Sequence, residues 1–232
     1  MVYIKLLLLL PILIYLAFKD KKDKEISLYG IYGFFGLAGQ GKTIAMSKEL
    51  LDLREKYGDS IYIMTNYCFE GEDFTFNSWK DLLKPYDKPL AIGWDELPNL
   101  FNSRDFKNFP LALLTILTQV RKGNGIRIYY TAQRWHFVDK NFRSLSFGCY
   151  ECRTLFGRYT ITRLYDPIDY DNLCSNSDYE KRRKIKPISS KAFIQNETIR
   201  NCYDSYKMLE SAKSKEYMDR SEIALLNLDL GI

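Results

Sequence analysis

Residues 36–43, GLAGQGKT, have the residue types and the spacing that hold the phosphates of a nucleotide. They fit the pattern G-x-x-x-x-G-K-[ST], in which backbone N–H groups of a glycine loop surround the phosphates at a helix N-terminus. We expect Lys42 to reach the β- and γ-phosphates and the Thr43 hydroxyl to bind Mg²⁺. The segment therefore predicts binding of ATP with Mg²⁺, and the other nucleotide-binding residues of the loop are Gly36, Gly39, Gln40 and Gly41.

The segments on either side of this loop follow the order that such a site requires. Residues 27–36, SLYGIYGFFG, are a β-branched and aromatic run of strand length, which predicts a buried strand. Residues 42–58, KTIAMSKELLDLREKYG, carry apolar side chains at helical spacing and end at a glycine, which predicts a helix. A strand, a glycine loop and a helix in succession favour a nucleotide-binding loop over an ordinary glycine-rich turn.

A pair of carboxylates follows a second apolar segment. Residues 90–94, LAIGW, predict a short buried strand beside the first one, and Asp95 and Glu96 come directly after it. A carboxylate at such a strand end can hold the water shell of a metal, and a following glutamate can polarise an attacking water. We predict that Asp95 is the metal partner and that Glu96 is the general base.

A third segment ends in polar side chains. Residues 113–123 predict an apolar helix, and residues 125–133, GIRIYYTAQ, predict another buried strand that ends near Gln133. Because carboxyl ends of parallel strands face the phosphates, Gln133 could contact the γ-phosphate or the attacking water; a capping glutamine is the alternative. Three arginines, Arg121, Arg134 and Arg143, are expected to form a basic surface around that edge. One of them could act on the nucleotide site of a neighbouring subunit, and Arg121 is our candidate for this catalytic role. The alternative for each is an exposed, solvated arginine.

The N-terminal residues 1–18 are apolar except for Lys5 and predict a transmembrane anchor. As a helix, the apolar run would be roughly 25 Å long, slightly short of a hydrocarbon core of about 30 Å. Four lysines in the basic linker, residues 19–26, place the rest of the chain in the cytoplasm by the positive-inside rule. A cleaved signal peptide and a buried helix are the alternatives.

The whole chain of 232 residues carries a formal net charge of +5, which permits a nucleic-acid partner without requiring one. Its length predicts one main domain, and its five cysteines, an odd and scattered set, indicate reduced thiols in a cytosolic compartment. Residues 145–166 predict a hairpin or a pair of edge strands. Residues 175–191 are strongly basic and predict either contacts with DNA phosphates or anionic lipid headgroups, or a solvated loop. The tail, residues 209–232, is expected to be helical.

Taken together, these motifs resemble the additional-strand P-loop ATPases that pump DNA, and within them the zonular occludens toxin-like ATPases, which include assembly proteins of filamentous phages. The resemblance covers roughly residues 27–208. It is carried by residues 36–43, by Asp95-Glu96, by R-x-x-x-G-I-x-I-x-x-T-x-Q and V-D-x-x-x-R between residues 121 and 143, by TNY at 65–67 and by CYDSYKM at 202–208.

The resemblance implies an α/β P-loop NTPase domain over residues 27–208, with a mainly parallel central sheet flanked by helices. It also implies a hexameric ring at the host cytoplasmic membrane that hydrolyses ATP to extrude virions, with viral DNA or virion proteins as partners. In the phage proteins the membrane segment generally follows the ATPase domain, whereas here the apolar run comes first. Two alternatives stay open: a genome-packaging ATPase of a membrane-containing double-stranded DNA virus, and a switch or scaffold that binds ATP without hydrolysing it. The glutamate after Asp95 favours catalysis over the switch.

Overall fold

The computed structural model describes residues 28–99, 101 and 109–203. The predicted anchor at 1–18, the linker at 19–26 and the tail at 209–232 lie outside these residues. Within the described ranges, no helix has both the length and the apolar character that crossing a bilayer demands.

The centre of the fold is one eight-stranded sheet with the order β3-β2-β4-β5-β1-β6-β7-β8. Its first six strands in this order run parallel, and β7 and β8 are added as antiparallel neighbours. The strands are β1 (Gly30–Phe35), β2 (Tyr62–Thr65), β3 (Phe74–Thr75), β4 (Leu90–Trp94), β5 (Ile126–Ala132), β6 (Gly148–Leu155), β7 (Tyr159–Tyr165) and β8 (Ser189–Ile194).

Six α-helices connect or flank these strands among the described residues. They are α1 (Lys42–Tyr57), α2 (Leu111–Thr118), α3 (Lys140–Leu145), α4 (Pro167–Ser175), α5 (Tyr179–Lys184) and α6 (Glu197–Asn201). Short 3₁₀ turns lie at Gly58–Ser60, Trp79–Leu83, Leu97–Asn99 and Trp135–Phe137.

Helices cover both faces of the sheet because its inner strands are apolar on both sides. On one face, Met46 and Leu50 of α1 pack in a cluster with Phe34, and α6 lies against α1 on this side. On the other face, Leu113 of α2 and Phe142 of α3 belong to a second cluster around the central strands. The result is the predicted α/β architecture with a mainly parallel sheet.

The position of β4 in the sheet corrects one expectation. We expected this strand to lie beside β1, but β5 is inserted between them and pairs with both in parallel, with Ile31 opposite Ile128 and Ile92 opposite Ile128. Because β5 ends between β1 and β4, its last residues lie between the glycine loop and the two carboxylates.

The second half of the sheet also differs in detail from the expectation. The hairpin predicted for residues 145–166 is confirmed as β6 and β7, but β6 is an inner strand that pairs in parallel with β1. The basic segment at 175–191 is more than a solvated loop. It contains α5, whose N-cap Asp178 accepts a hydrogen bond from the backbone of Glu180, and the first residues of β8.

Candidate nucleotide-binding site

The glycine loop between β1 and α1 is shaped for an anion. Gly39 and Gly41 have φ angles of +75° and +76°, in the left-handed region that glycine adopts without strain. Gly41 is the N-cap of the 16-residue helix α1, and no side chain accepts a hydrogen bond from the first turn. The first N–H groups of a helix have no partners within it, so this uncapped end can donate to phosphate oxygens.

The loop leaves no room for a larger residue at Gly41. A Cβ there would lie 2.5 Å from Thr154 Oγ1 on the neighbouring strand β6, whereas a Cβ on Gly39 would meet nothing within 4 Å. The Lys42 ammonium folds back over the loop and donates to the Leu37 carbonyl oxygen at 3.3 Å. Lys42 therefore lies on the inner side of the loop that would surround a phosphate chain.

The Asp95 carboxylate joins the loop helix to the sheet. Its Oδ1 accepts hydrogen bonds from Thr43 Oγ1 at 2.9 Å and from Thr131 Oγ1 at 2.7 Å. Burial raises the pKa of the Asp95 carboxyl above its ordinary value, while these hydrogen bonds and the charge of Lys42 oppose the rise. A hydroxyl and a carboxylate at one point, next to a loop for phosphates, form the oxygen donor set that suits Mg²⁺.

In the described part of the chain, no group of three histidine, cysteine or carboxylate side chains could hold a metal by itself.

Glu96, the predicted general base, contacts Gln133, the predicted γ-phosphate sensor. Gln133 Nε2 donates to Glu96 Oε1 at 3.0 Å, although the two residues are 37 positions apart. Glu96 has a left-handed backbone with φ +52°, which is strained for a residue with a side chain. Its N–H donates to Thr131 Oγ1 at 2.8 Å, so this threonine hydroxyl contacts both the Asp95 carboxylate and the Glu96 backbone.

Asn66 is a site residue whose role the sequence did not indicate. It lies directly after β2, and its side-chain amide makes two hydrogen bonds to the backbone of Asp95. Asn66 Nδ2 donates to the Asp95 carbonyl at 3.0 Å, and the Asp95 N–H donates to Asn66 Oδ1 at 2.7 Å. The asparagine belongs to the TNY motif, which gave it no role on its own.

A polar wall from β6 and β7 supports the loop from the side, and the sequence did not indicate this either. The Thr154 N–H donates to Gln40 Oε1 at 3.2 Å, which connects the loop to β6. Behind it, the Thr154 and Thr160 hydroxyls lie 2.9 Å apart, and the buried Gln195 donates through Nε2 to Thr160 Oγ1 at 2.7 Å. These hydrogen bonds connect the glycine loop to β6, β7 and Gln195, and together they hold the loop in one position.

The three arginines do not form the single basic surface that we expected. Arg121 precedes β5 and lies at the amino ends of the strands, at the opposite edge of the sheet from the glycine loop. Arg143 is 3.5 Å from Asp171 and lies over the ring of Trp135. Arg134 is exposed next to Gln133, which makes it the one of the three that borders the site of its own chain. Action of Arg121 on a neighbouring subunit stays a prediction.

A cavity of about 550 Å³ opens beside the loop at the carboxyl ends of β1, β5 and β6. Gly36, Leu37 and Gln40 of the loop form one side of it. Gln133 and Arg134 form the side toward β5, and the other lining residues are Phe35, Trp135, His136, Glu151, Cys152, Arg153, Arg163, Tyr170 and Cys174. The cavity therefore extends from Gln133 to β6, β7 and α4.

Comparison with known proteins supports this fold. The N-terminal domain of zonular occludens toxin from Neisseria meningitidis is similar with a TM-score of 0.53 and 17% identity, over 76% of this chain and 100% of that one. The DNA-packaging ATPase B204 from Sulfolobus Turreted Icosahedral Virus has a TM-score of 0.43 and 14% identity, over 62% of this chain and 95% of that one. No protein-family model matches the chain, and no curated protein matches it. The first likeness confirms the predicted resemblance at the level of the fold, which is that of a zonular occludens toxin-like P-loop domain.

Proposed function

We propose that this protein is a membrane-anchored P-loop ATPase that hydrolyses ATP to drive filamentous virion assembly and extrusion or DNA translocation. One observation carries the ATPase proposal. Asp95 Oδ1 accepts hydrogen bonds from Thr43 of the glycine loop and from Thr131 of β5, and Glu96 follows it in a turn that points to Gln133. A loop for phosphates, a site for Mg²⁺ and a base thus meet at one edge of the sheet.

Each residue has a defined part in the proposed reaction. The N–H groups at the start of α1 and the Lys42 ammonium bind the phosphates and neutralise their charge. Thr43 and Asp95 would hold Mg²⁺, which would supply positive charge against the phosphates when bound. The Glu96 carboxylate accepts the proton of the attacking water while the new oxygen–phosphorus bond forms and ADP leaves. Gln133 holds Glu96 in place and contacts the γ-phosphate side of the site.

The wider context of the proposal comes from the sequence resemblance. A hexameric ring, viral DNA or virion proteins as partners, and the cytoplasmic side of the host membrane are all implied by the similarity to filamentous-phage assembly proteins. The anchor at residues 1–18 would hold the ring at the membrane. The likeness to the zonular occludens toxin domain concerns the fold alone.

The test is substitution of the proposed base in the full chain. Glu96→Gln should leave ATP binding intact and should slow hydrolysis by about a hundredfold or more. Glu151→Gln is the matched control, because Glu151 lines the cavity beside the glycine loop, lies 3.4 Å from Arg163 and has no part in the proposed reaction. An unchanged rate in Glu96→Gln would remove Glu96 from the mechanism. Tight ATP binding without turnover in the wild type would favour a nucleotide-dependent switch or scaffold.

A further inference from the structure

The cavity beside the glycine loop has arginines on its wall that the proposed hydrolysis does not use. Arg153 and Arg134 are exposed there, and Arg163 is partly exposed. Glu151 is the acidic residue among the described lining residues, and it is 3.4 Å from Arg163. Within the residues that the structure describes, Arg134 and Arg153 take part in no ion pair. The wall of the cavity is therefore positively charged.

Helix α5 continues this charge beyond the rim of the cavity. It follows α4, whose residue Cys174 lines the cavity. Only residues 176–178 separate α4 from α5, so α5 begins next to the end of α4 that carries Cys174. The last turn of α5 is basic throughout, and the helix has no buried residue. Packing within the described fold therefore does not explain why these residues are basic. The basic residues are Lys181, Arg182, Arg183 and Lys184.

Two exposed aromatic rings lie beside arginines of this region. The Arg134 guanidinium is 5.9 Å from the centre of the Phe137 ring, which is 45% exposed. The Arg183 guanidinium is 5.7 Å from the centre of the Tyr179 ring, which is 68% exposed. Arginines that contact phosphates and exposed aromatic rings on which bases stack are the combination with which proteins bind single-stranded nucleic acids.

We propose that the cavity wall and α5 form one cationic surface that binds single-stranded nucleic acid. This surface consists of Arg134, Phe137, Arg153, Arg163, Tyr179, Arg182, Arg183 and Lys184. Single strands fit better than duplexes because their bases are free to stack on the two rings. An anionic bilayer fits less well, because a flat membrane cannot enter the cavity. A role of this surface in translocation rests on the proposed function, whereas binding of the nucleic acid itself requires no ATP hydrolysis.

The test measures binding of the full chain to a labelled oligothymidylate of about 20 nucleotides by fluorescence anisotropy, without nucleotide and over a range of salt concentrations. The double variant Arg182→Ala/Lys184→Ala should bind the oligonucleotide at least about tenfold more weakly at low salt. The magnitude of the slope of log K for binding against log salt concentration should fall by about 1.4, because each lost phosphate contact removes about 0.7 for single strands. The matched control is Lys80→Ala/Lys122→Ala, which changes two exposed lysines outside this surface and should bind like the wild type.

A second variant tests the stacking part of the surface. Tyr179→Ala should weaken binding about fivefold or more, and Tyr179→Phe should restore it, since only the ring is needed. Equal affinity and equal salt slope in the α5 variant and the control would overturn the proposal. So would binding of the protein to phosphatidylserine vesicles through α5 with no binding of the oligonucleotide, which would make α5 a membrane contact.

The two proposals can fail separately. Lys42→Ala should abolish ATP hydrolysis and leave oligonucleotide binding unchanged, whereas Arg182→Ala/Lys184→Ala should leave the basal hydrolysis rate unchanged. An active ATPase whose α5 variant binds the oligonucleotide normally would overturn the cationic surface alone. A wild type that binds the oligonucleotide through α5 but never hydrolyses ATP would overturn the ATPase proposal alone.

Discussion

Replacing Asn66 with alanine removes two of the hydrogen bonds that hold the turn after β4. Each bond contributes about 1 kcal/mol net, and the partly buried Asp95 N–H that loses its acceptor adds about 1 kcal/mol more. We therefore expect Asn66→Ala to lower the free energy of unfolding by about 2–3 kcal/mol. In a domain of this size, that corresponds to a melting temperature lower by about 4–12 °C. The turn also positions Asp95 and Glu96, so ATP turnover should fall at least about tenfold.

The assay is thermal unfolding of the full chain followed by tryptophan fluorescence, together with steady-state ATP hydrolysis well below the melting temperature. Asn124→Ala is the matched control, because Asn124 is exposed and makes one hydrogen bond, 2.8 Å long, to the Tyr86 carbonyl. It should lower the melting temperature by no more than about 4 °C and leave turnover unchanged. A melting temperature of Asn66→Ala within about 1 °C of the wild type would refute the reasoning, because the two hydrogen bonds would then contribute nothing.

Three further predictions concern the loop, the buried carboxylate and the core. Gly41→Ala should weaken ATP binding, measured by calorimetry, by about tenfold more than Gly39→Ala does. Both glycines have a left-handed backbone, but only Gly41 lies against Thr154. Equal losses of affinity in the two variants would contradict this. Because the pKa of Asp95 is raised in the folded state, the nucleotide-free protein should lose stability as the pH rises from about 4 through that raised pKa. Asp95→Asn should lack this loss in pH-dependent melting while losing Mg²⁺-dependent turnover, and a parallel pH profile would contradict the assignment. Trp94→Ala should cost about 3–5 kcal/mol in thermal melting, because the side chain is 1% exposed; a cost below about 1 kcal/mol would contradict its place in the core.

The local elements around the site could be predicted from the sequence because each has a strong local signal. The spacing of residues 36–43 indicated the loop, helical periodicity indicated α1, and the apolar run at 90–94 matches β4 residue for residue. Glu96 and Gln133 were assigned to one site because both follow strands whose carboxyl ends share an edge, and the structure brings them to 3.0 Å.

The contacts that cross the sheet could not be predicted, because they depend on strand order. Nothing in residues 125–133 indicates that β5 lies between β1 and β4, which is why Thr131 could not be assigned to the Asp95 carboxylate and the Glu96 N–H. Asn66 and Asp95 are 29 positions apart, and only the pairing of β2 with β4 brings them together. Gln195 is 155 positions from Gln40, and it reaches the wall behind the glycine loop only because β8 returns beside β7.

The central claim is tested most directly by steady-state phosphate release from ATP. The full wild-type chain is compared with Lys42→Ala at identical Mg²⁺ and protein concentrations. The account predicts measurable turnover in the wild type and its loss in Lys42→Ala, because the ammonium that neutralises the phosphates is gone. Equal phosphate release by the two proteins would contradict the account, as would a wild type that binds ATP tightly but releases no phosphate at concentrations that allow oligomers to form.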